Sequence, residues 1–120
     1  MTKEAALHQF FNSLGIPGYP VSSVPDGPED KYLTYDLRTG AFDSGEISIT
    51  VNLWFYTTSE EEPNAMARKL SETTGNGGKV IRCDGGYIWL KRGSPWCQSL
   101  SDGAYKRRYI NMTAEFFTAD

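Results

Sequence analysis

The sequence predicts an α+β domain, a two-layer sandwich in which a mainly antiparallel sheet of about five to six strands carries two helices on one face, in the order α-β-β-α-β-β-β. Three observations carry this reading. Over residues 47–56 (ISITVNLWFY), Ile47, Ile49, Val51, Leu53 and Phe55 recur at every second position, the period of a strand with one face turned to a core. Two other stretches place apolar residues at helical spacing: Ala6, Leu7, Phe10, Phe11 and Leu14, then Met66, Ala67, Leu70 and Thr74. Finally, Asp84-Gly85 stands between two strand-like runs, KVIRC and GYIWLK, as a strong hairpin signal.

Taken in order, residues 2–14 read as a helix. Thr2 can cap it, Glu4 favours the positive end, and Gly15 supplies the stop. His8 falls beside Gln9 and Asn12, off the apolar stripe, and reads as a solvated residue. Residues 16–30 hold Pro17, Gly18, Pro20, Pro25, Gly27 and Pro28, which argue against regular structure. A connection of that length is either a partner-contacting arm or a simple surface loop pinned by Tyr19 and Val21. Residues 31–37 (KYLTYDL) form a strand with Tyr32, Thr34 and Asp36 on one face, and residues 38–45 (RTGAFDSG) a hairpin loop. Phe42 is unusually apolar for such a tip: exposed, it would be a contact residue; tucked in, only loop packing.

The strand at 47–56 has a second face, Ser48, Thr50, Asn52, Trp54 and Tyr56, which starts polar and ends in two large rings. Rings on an outward face require cover, from elsewhere in the chain or from another molecule. The second helix opens with Ser59 and Glu62 at capping-box spacing, Pro63 in the first turn, and three glutamates against the positive helix end; it closes at Gly75 to Gly78. That GNGG run lacks the ending of a phosphate-binding loop and leads into a strand. In the second hairpin, Ser94-Pro95-Trp96-Cys97 interrupts pairing, because proline cannot donate within a ladder. A kink or an edge crossing, then a short strand through 98–100, is expected. Residues 106–118 form the last strand, with Ile110, Met112, Ala114 and Phe116 on one face and Tyr109, Asn111, Thr113, Glu115 and Phe117 on the other.

At 120 residues the chain is one domain able to bury a core without staples. No apolar run approaches the ~18 residues of a membrane span, and the N-terminus lacks a signal-like pattern, so a cytoplasmic product is expected. Cys83 and Cys97 lie fourteen positions apart with the single histidine far away at His8. This is no zinc or redox spacing, and two reduced thiols in or near the core are expected. No nucleophile has a plausible base, so no catalytic residue, cofactor or metal is assigned.

The net charge of −3 is unevenly spread: residues 1–62 hold ten acids and three bases, residues 63–120 five acids and nine bases. Overall acidity argues against a sequence-independent nucleic-acid binder. If the halves of the sequence map onto halves of the surface, the basic side of one subunit can meet the acidic side of the next.

The run from Gly86 to Leu100 (GYIWLKRGSPWCQSL), followed by Lys106-Arg107-Arg108-Tyr109-Ile110-Asn111, resembles small virion proteins of long-tailed bacteriophages and prophages of Gram-positive bacteria. The segment from Ile16-Pro17 to Pro25 and the triplet Asn52-Leu53-Trp54 fit the same family, so the resemblance covers nearly the whole chain. The wording is distinctive but carries no chemical motif. This family is similar to tail terminator or tail completion proteins. The resemblance implies a non-enzymatic structural protein forming a homo-oligomeric ring, usually hexameric, that caps the tail tube and joins it to the head. Implied partners are the tail tube protein and a head connector protein, with DNA only passing through the ring and no membrane. The place implied is the host cytoplasm during assembly and then the head-tail junction of the virion. A head completion protein is the alternative within that class. A small single-stranded nucleic-acid-binding domain, using Arg92 and residues 106–108 with Tyr87, Trp89 and Tyr109, is the alternative from another class. Candidate interface residues are Phe42, Trp54, Tyr56, Arg92, Trp96, Arg107 and Tyr109.

Overall fold

A computed structural model describes residues 1–38 and 46–118. The elements are α1 (Lys3–Phe11), β1 (Gly18–Pro20), a 3₁₀ turn (Val21–Ser23), β2 (Lys31–Arg38), β3 (Glu46–Tyr56), α2 (Glu61–Thr74), β4 (Lys79–Cys83), β5 (Gly86–Asp102) and β6 (Tyr105–Thr118). The class is mixed α+β: two helices and one curled six-stranded sheet of order β1-β2-β3-β6-β5-β4. All strand pairs are antiparallel except β1 with β2.

The alternation of residues 47–56 appears directly in β3, where Ile47, Ile49, Val51, Leu53 and Phe55 are all buried. They share one core with Leu33 and Tyr35 of β2, Ile88 and Leu90 of β5, and Ile110, Met112 and Ala114 of β6. The helices close that core with Ala6, Leu7, Phe10 and Phe11 from α1 and Ala67 and Leu70 from α2. Phe11 is fully buried, stacked on Tyr35 at 4.7 Å between ring centroids and set edge-on to Phe10 at 5.2 Å. Helix α1 touches β1 along one side and β4 along the other, so it bridges the two edge strands, while α2 lies over β3, β5 and β6.

The structure departs from the expectations in three places, only the first of which changes the element order. An additional strand, β1, lies inside the proline-rich segment and gives α-β-β-β-α-β-β-β. It forms because Asn12 holds it: the side-chain amide donates to the Gly18 carbonyl at 3.0 Å, and its oxygen accepts from the Gly18 N–H at 2.9 Å. The same amide bonds the His8 carbonyl at 2.9 Å, which ends α1 at Phe11, three residues before the expected stop. Gly18 permits this closeness, since a Cβ there would meet the Phe11 carbonyl oxygen at 2.9 Å. Secondly, Pro95 does not separate two strands. Strand β5 runs continuously, and the disturbance is a register shift between Arg92 and Cys97 opposite β6. There, Asn111 donates to the Pro95 carbonyl at 3.0 Å. Thirdly, the sheet is curled, so the expected two-layer sandwich is matched only in part.

The caps are partly as expected. Thr2 accepts from the Ala5 N–H at 3.1 Å. Ser59, expected to form a capping box with Glu62, instead accepts from the Glu61 N–H at 3.1 Å, and Glu62 turns away to pair with Lys31 at 2.8 Å. The Asp84-Gly85 hairpin forms as expected, with Gly85 at φ +79° and Cys83 opposite Gly86.

The start of α2 is fastened to β6 by Arg108, only 2% exposed. Its guanidinium donates to Glu60 Oε1 at 2.6 Å, to Asn64 Oδ1 at 2.9 Å and to the Arg107 carbonyl at 3.2 Å. Lys106 Nζ adds a second cation to Glu60 at 3.1 Å. The Arg108 and then the Lys106 hydrogen bonds hold the Glu60 carboxyl below its ordinary value. A depressed carboxyl stabilises the fold above its unfolded pKa and ceases to do so as pH falls through the folded value. Melting temperature is therefore expected to fall on acidification below about pH 4.5, the ordinary value, and to fall less steeply in Glu60→Gln, as thermal melts over a pH series would record.

Candidate interaction face

In β3 the residues between the buried ones point to the opposite side of the sheet, and cross-strand register determines what they meet there. Trp54 stands opposite Tyr32 of β2 and Arg107 of β6, and Tyr56 stands opposite Tyr105. Among the described residues neither helix covers this side, since both contribute to the core on the other.

The result is an aromatic field across three strands. Tyr32 stacks on Trp54 with ring centroids 6.1 Å apart and planes 12° from parallel. Tyr105 meets Tyr32, Trp54 and Tyr56 edge-on at 6.4, 6.3 and 5.5 Å, and Tyr19 of β1 extends the field at 6.2 Å from Tyr32. The Arg107 guanidinium lies 5.2 Å over the Trp54 ring. Trp54 is oriented from below, its indole N–H donating to Thr34 Oγ1 at 3.1 Å. Tyr56, at 59% exposed, is the outermost ring.

Two groups on this face lack partners: Asn52 Oδ1 and Arg107 Nε are buried without a hydrogen bond. Burial pushes the Tyr32 phenol up, and a hydrogen bond to Glu29 does the same for Tyr19, so both are protonated at neutral pH. A second aromatic group occupies the far end of the face, with Phe117 5.3 Å from Tyr87 and 6.2 Å from Trp89, and Lys91 Nζ 4.3 Å over Trp89.

Of the sequence-derived candidates, Trp54, Tyr56, Arg107 and Tyr109 share the helix-free side. Arg92 and Trp96 do not join them. Arg92 is on the helical side opposite Met112 and ties β5 to α2 through Ser71 Oγ at 2.7 Å and through Asn76. Trp96 packs, partly buried, against the core. Phe42 lies outside the described residues. Tyr32 and Tyr105 were the main members missed. Tyr32 was on the correct strand face, but only register reveals that it stands opposite Trp54. Tyr105 lies one residue before the stretch 106–118 that the alternation marks as a strand, and the strand begins with it.

The arrangement offers rings, a guanidinium and few catalytic groups. No cluster of three or more metal-ligating side chains occurs among the described residues. His8 is exposed and hydrogen-bonded to the Tyr35 hydroxyl at 3.0 Å. Cys83 and Cys97 are half-buried free thiols pushed up mainly by burial. No described helix is long and apolar enough to cross a membrane.

No protein-family model and no curated protein matches the chain. A solved structure, whose title carries no functional description, superimposes with a TM-score of 0.70 over 98% of this chain and 92% of its own. At 13% sequence identity this likeness concerns the fold alone.

Proposed function

We propose that the chain is a structural, non-enzymatic subunit of a bacteriophage tail terminator or tail completion ring. In this reading copies of the chain form a closed homo-oligomer, a hexamer by family resemblance, at the head-tail junction of the virion. The ring caps the tail tube protein, meets a head connector protein on its other side, and passes DNA through its lumen. The two-layer reading of the domain, helices against one sheet face, leaves the other face for neighbours. The observation that carries the proposal is this helix-free field of Tyr19, Tyr32, Trp54, Tyr56 and Tyr105, with Arg107 lying over Trp54. Tyrosine, tryptophan and arginine are the residues enriched in interface anchors. The rings are half-buried against one another with Tyr56 exposed, and an aromatic patch of this kind favours cover by a neighbour.

The test is solution mass by size-exclusion chromatography with light scattering, across a concentration series and with the tail tube protein added. A discrete multiple of the 13.4 kDa subunit is expected. A strict monomer under every condition that instead shifts a single-stranded oligonucleotide would replace this reading with the nucleic-acid one.

A further inference from the structure

The sheet order separates the two halves of the sequence. Strands β1, β2 and β3 come from residues 18–56 and occupy one side, while β6, β5 and β4 come from residues 79–118 and occupy the other. The charge asymmetry of the sequence is therefore partly kept between the two edges of the sheet, although Glu60 of the first half pairs with Lys106 and Arg108 of the second. On the first flank, residues 21–30 follow the edge strand β1 and carry Asp26, Glu29 and Asp30, all exposed, with Val21 53% exposed at their start. On the second flank, the edge strand β4 carries exposed Lys79 and Arg82, neither of which makes an ion pair among the described residues.

The free side of β4 is also shaped to receive chain. Cys83 and Gly86 close the two-residue turn, so the main-chain groups of Ile81 pair inward with Ile88, and those of Val80 and Arg82 point away from β5. The outward N–H of Asp84 confirms this phase by donating to the Met1 carbonyl at 2.7 Å. Val80 and Arg82 have no such partner among the described residues. Beside them a groove of about 230 Å³ runs between β4 and α1, floored by Ala6, Phe10 and Ile81 and rimmed by Lys79. Val80 lies on its edge, 58% exposed.

We infer that copies of this chain join head to tail, the open edge and groove of β4 on one copy receiving the acidic, proline-rich residues 21–30 of the next. Asp26 and Asp30 reach Lys79 and Arg82, which lie on opposite faces of β4, Val21 covers Val80 on the helix-free face, and main-chain groups of the incoming segment meet those of Val80 and Arg82. The edge charges reject uncharged strands and admit an acidic one. Because donor and acceptor are different surfaces, the contact is heterologous and closes into a ring when its rotation allows. This mode rests on the self-assembly reading and adds an edge contact to the covering of the aromatic face by a neighbour.

The experiment is a charge exchange read by light scattering. Lys79→Glu with Arg82→Glu should remove the oligomer, and Asp26→Lys with Asp30→Lys should do the same. Mixing these two variants should restore it, since each supplies the charge the other now needs. Independently, Val21→Cys and Val80→Cys combined in a chain with Cys83→Ser and Cys97→Ser should oxidise into a ladder above the dimer, whereas either cysteine alone stops at the dimer. Oligomers that survive both charge reversals, with no ladder, would overturn this contact and leave the ring reading standing. A wild-type chain that remains monomeric alone and with tail tube protein would overturn both.

Discussion

Phe11→Ala is expected to cost roughly 3–5 kcal/mol of folding stability, the range for truncating a buried phenylalanine. The ring is fully buried and lies between Phe10 and Tyr35, so its loss leaves a void where α1 meets the sheet. Helix α1 spans only nine residues, too few to hold itself together without tertiary contacts. Local loss at Phe11 should therefore loosen the whole helix and, through Asn12, strand β1. Denaturant unfolding should show a lower midpoint, and thermal melting a fall on the order of 15 °C, at about 4 °C per kcal/mol for a domain of this size. A loss under about 1 kcal/mol would mean that α1 is not docked as described.

Arg108→Ala is the second large effect, expected to cost about 2–4 kcal/mol. The guanidinium is buried, yet its acidic partner Glu60 is half-exposed, so water can serve the carboxylate once the arginine is gone. The loss is dominated by packing, with the fastening of α2 to β6 through Glu60 and Asn64 the smaller part. Arg108→Met, which refills the space without burying a charge, should recover most of that stability. Equal losses for alanine and methionine would mean that the hydrogen bonds, more than the packing, hold α2 in place.

The features with a strong local period were legible in the sequence. The strand at 47–56, both helices and the Asp-Gly hairpin follow from spacing and turn chemistry alone, because each is specified within ten or so residues. Strand β1 was not legible, since three residues in a proline-rich run have no period; it depends on Asn12 and on a close approach open only to Gly18. The continuity of β5 past Pro95 was hidden for a related reason, as a register shift lets a proline sit in a strand without leaving a donor missing from the ladder. The outward face was half legible. Trp54 and Tyr56 stood out by alternation, but Tyr32 and Tyr105 joined them only through register, a property of pairs of strands that no single stretch carries. Arg92 was grouped with the aromatics by sequence proximity, and its pairing with Met112 puts it on the helical side.

The charge imbalance gained the most from the structure. A difference between halves of a sequence means little until topology shows whether the halves mix, and in this sheet they stay apart as β1-β2-β3 and β6-β5-β4. That separation puts exposed Asp26, Glu29 and Asp30 beside one edge strand and exposed Lys79 and Arg82 on the other.

The central claim, that the helix-free aromatic face exists to be covered by a neighbour, is tested most directly by Trp54→Ala measured for both mass and melting. The indole is half-buried, stacked on Tyr32 and reached by Arg107, so its loss should lower melting by only a few degrees in the subunit. As an interface anchor it should weaken assembly by about 2 kcal/mol or more, roughly thirtyfold, per contact. The account predicts a folded subunit of 13.4 kDa that no longer assembles where wild type does. Unchanged assembly, or a collapse of thermal stability that places the indole in the core, would contradict it.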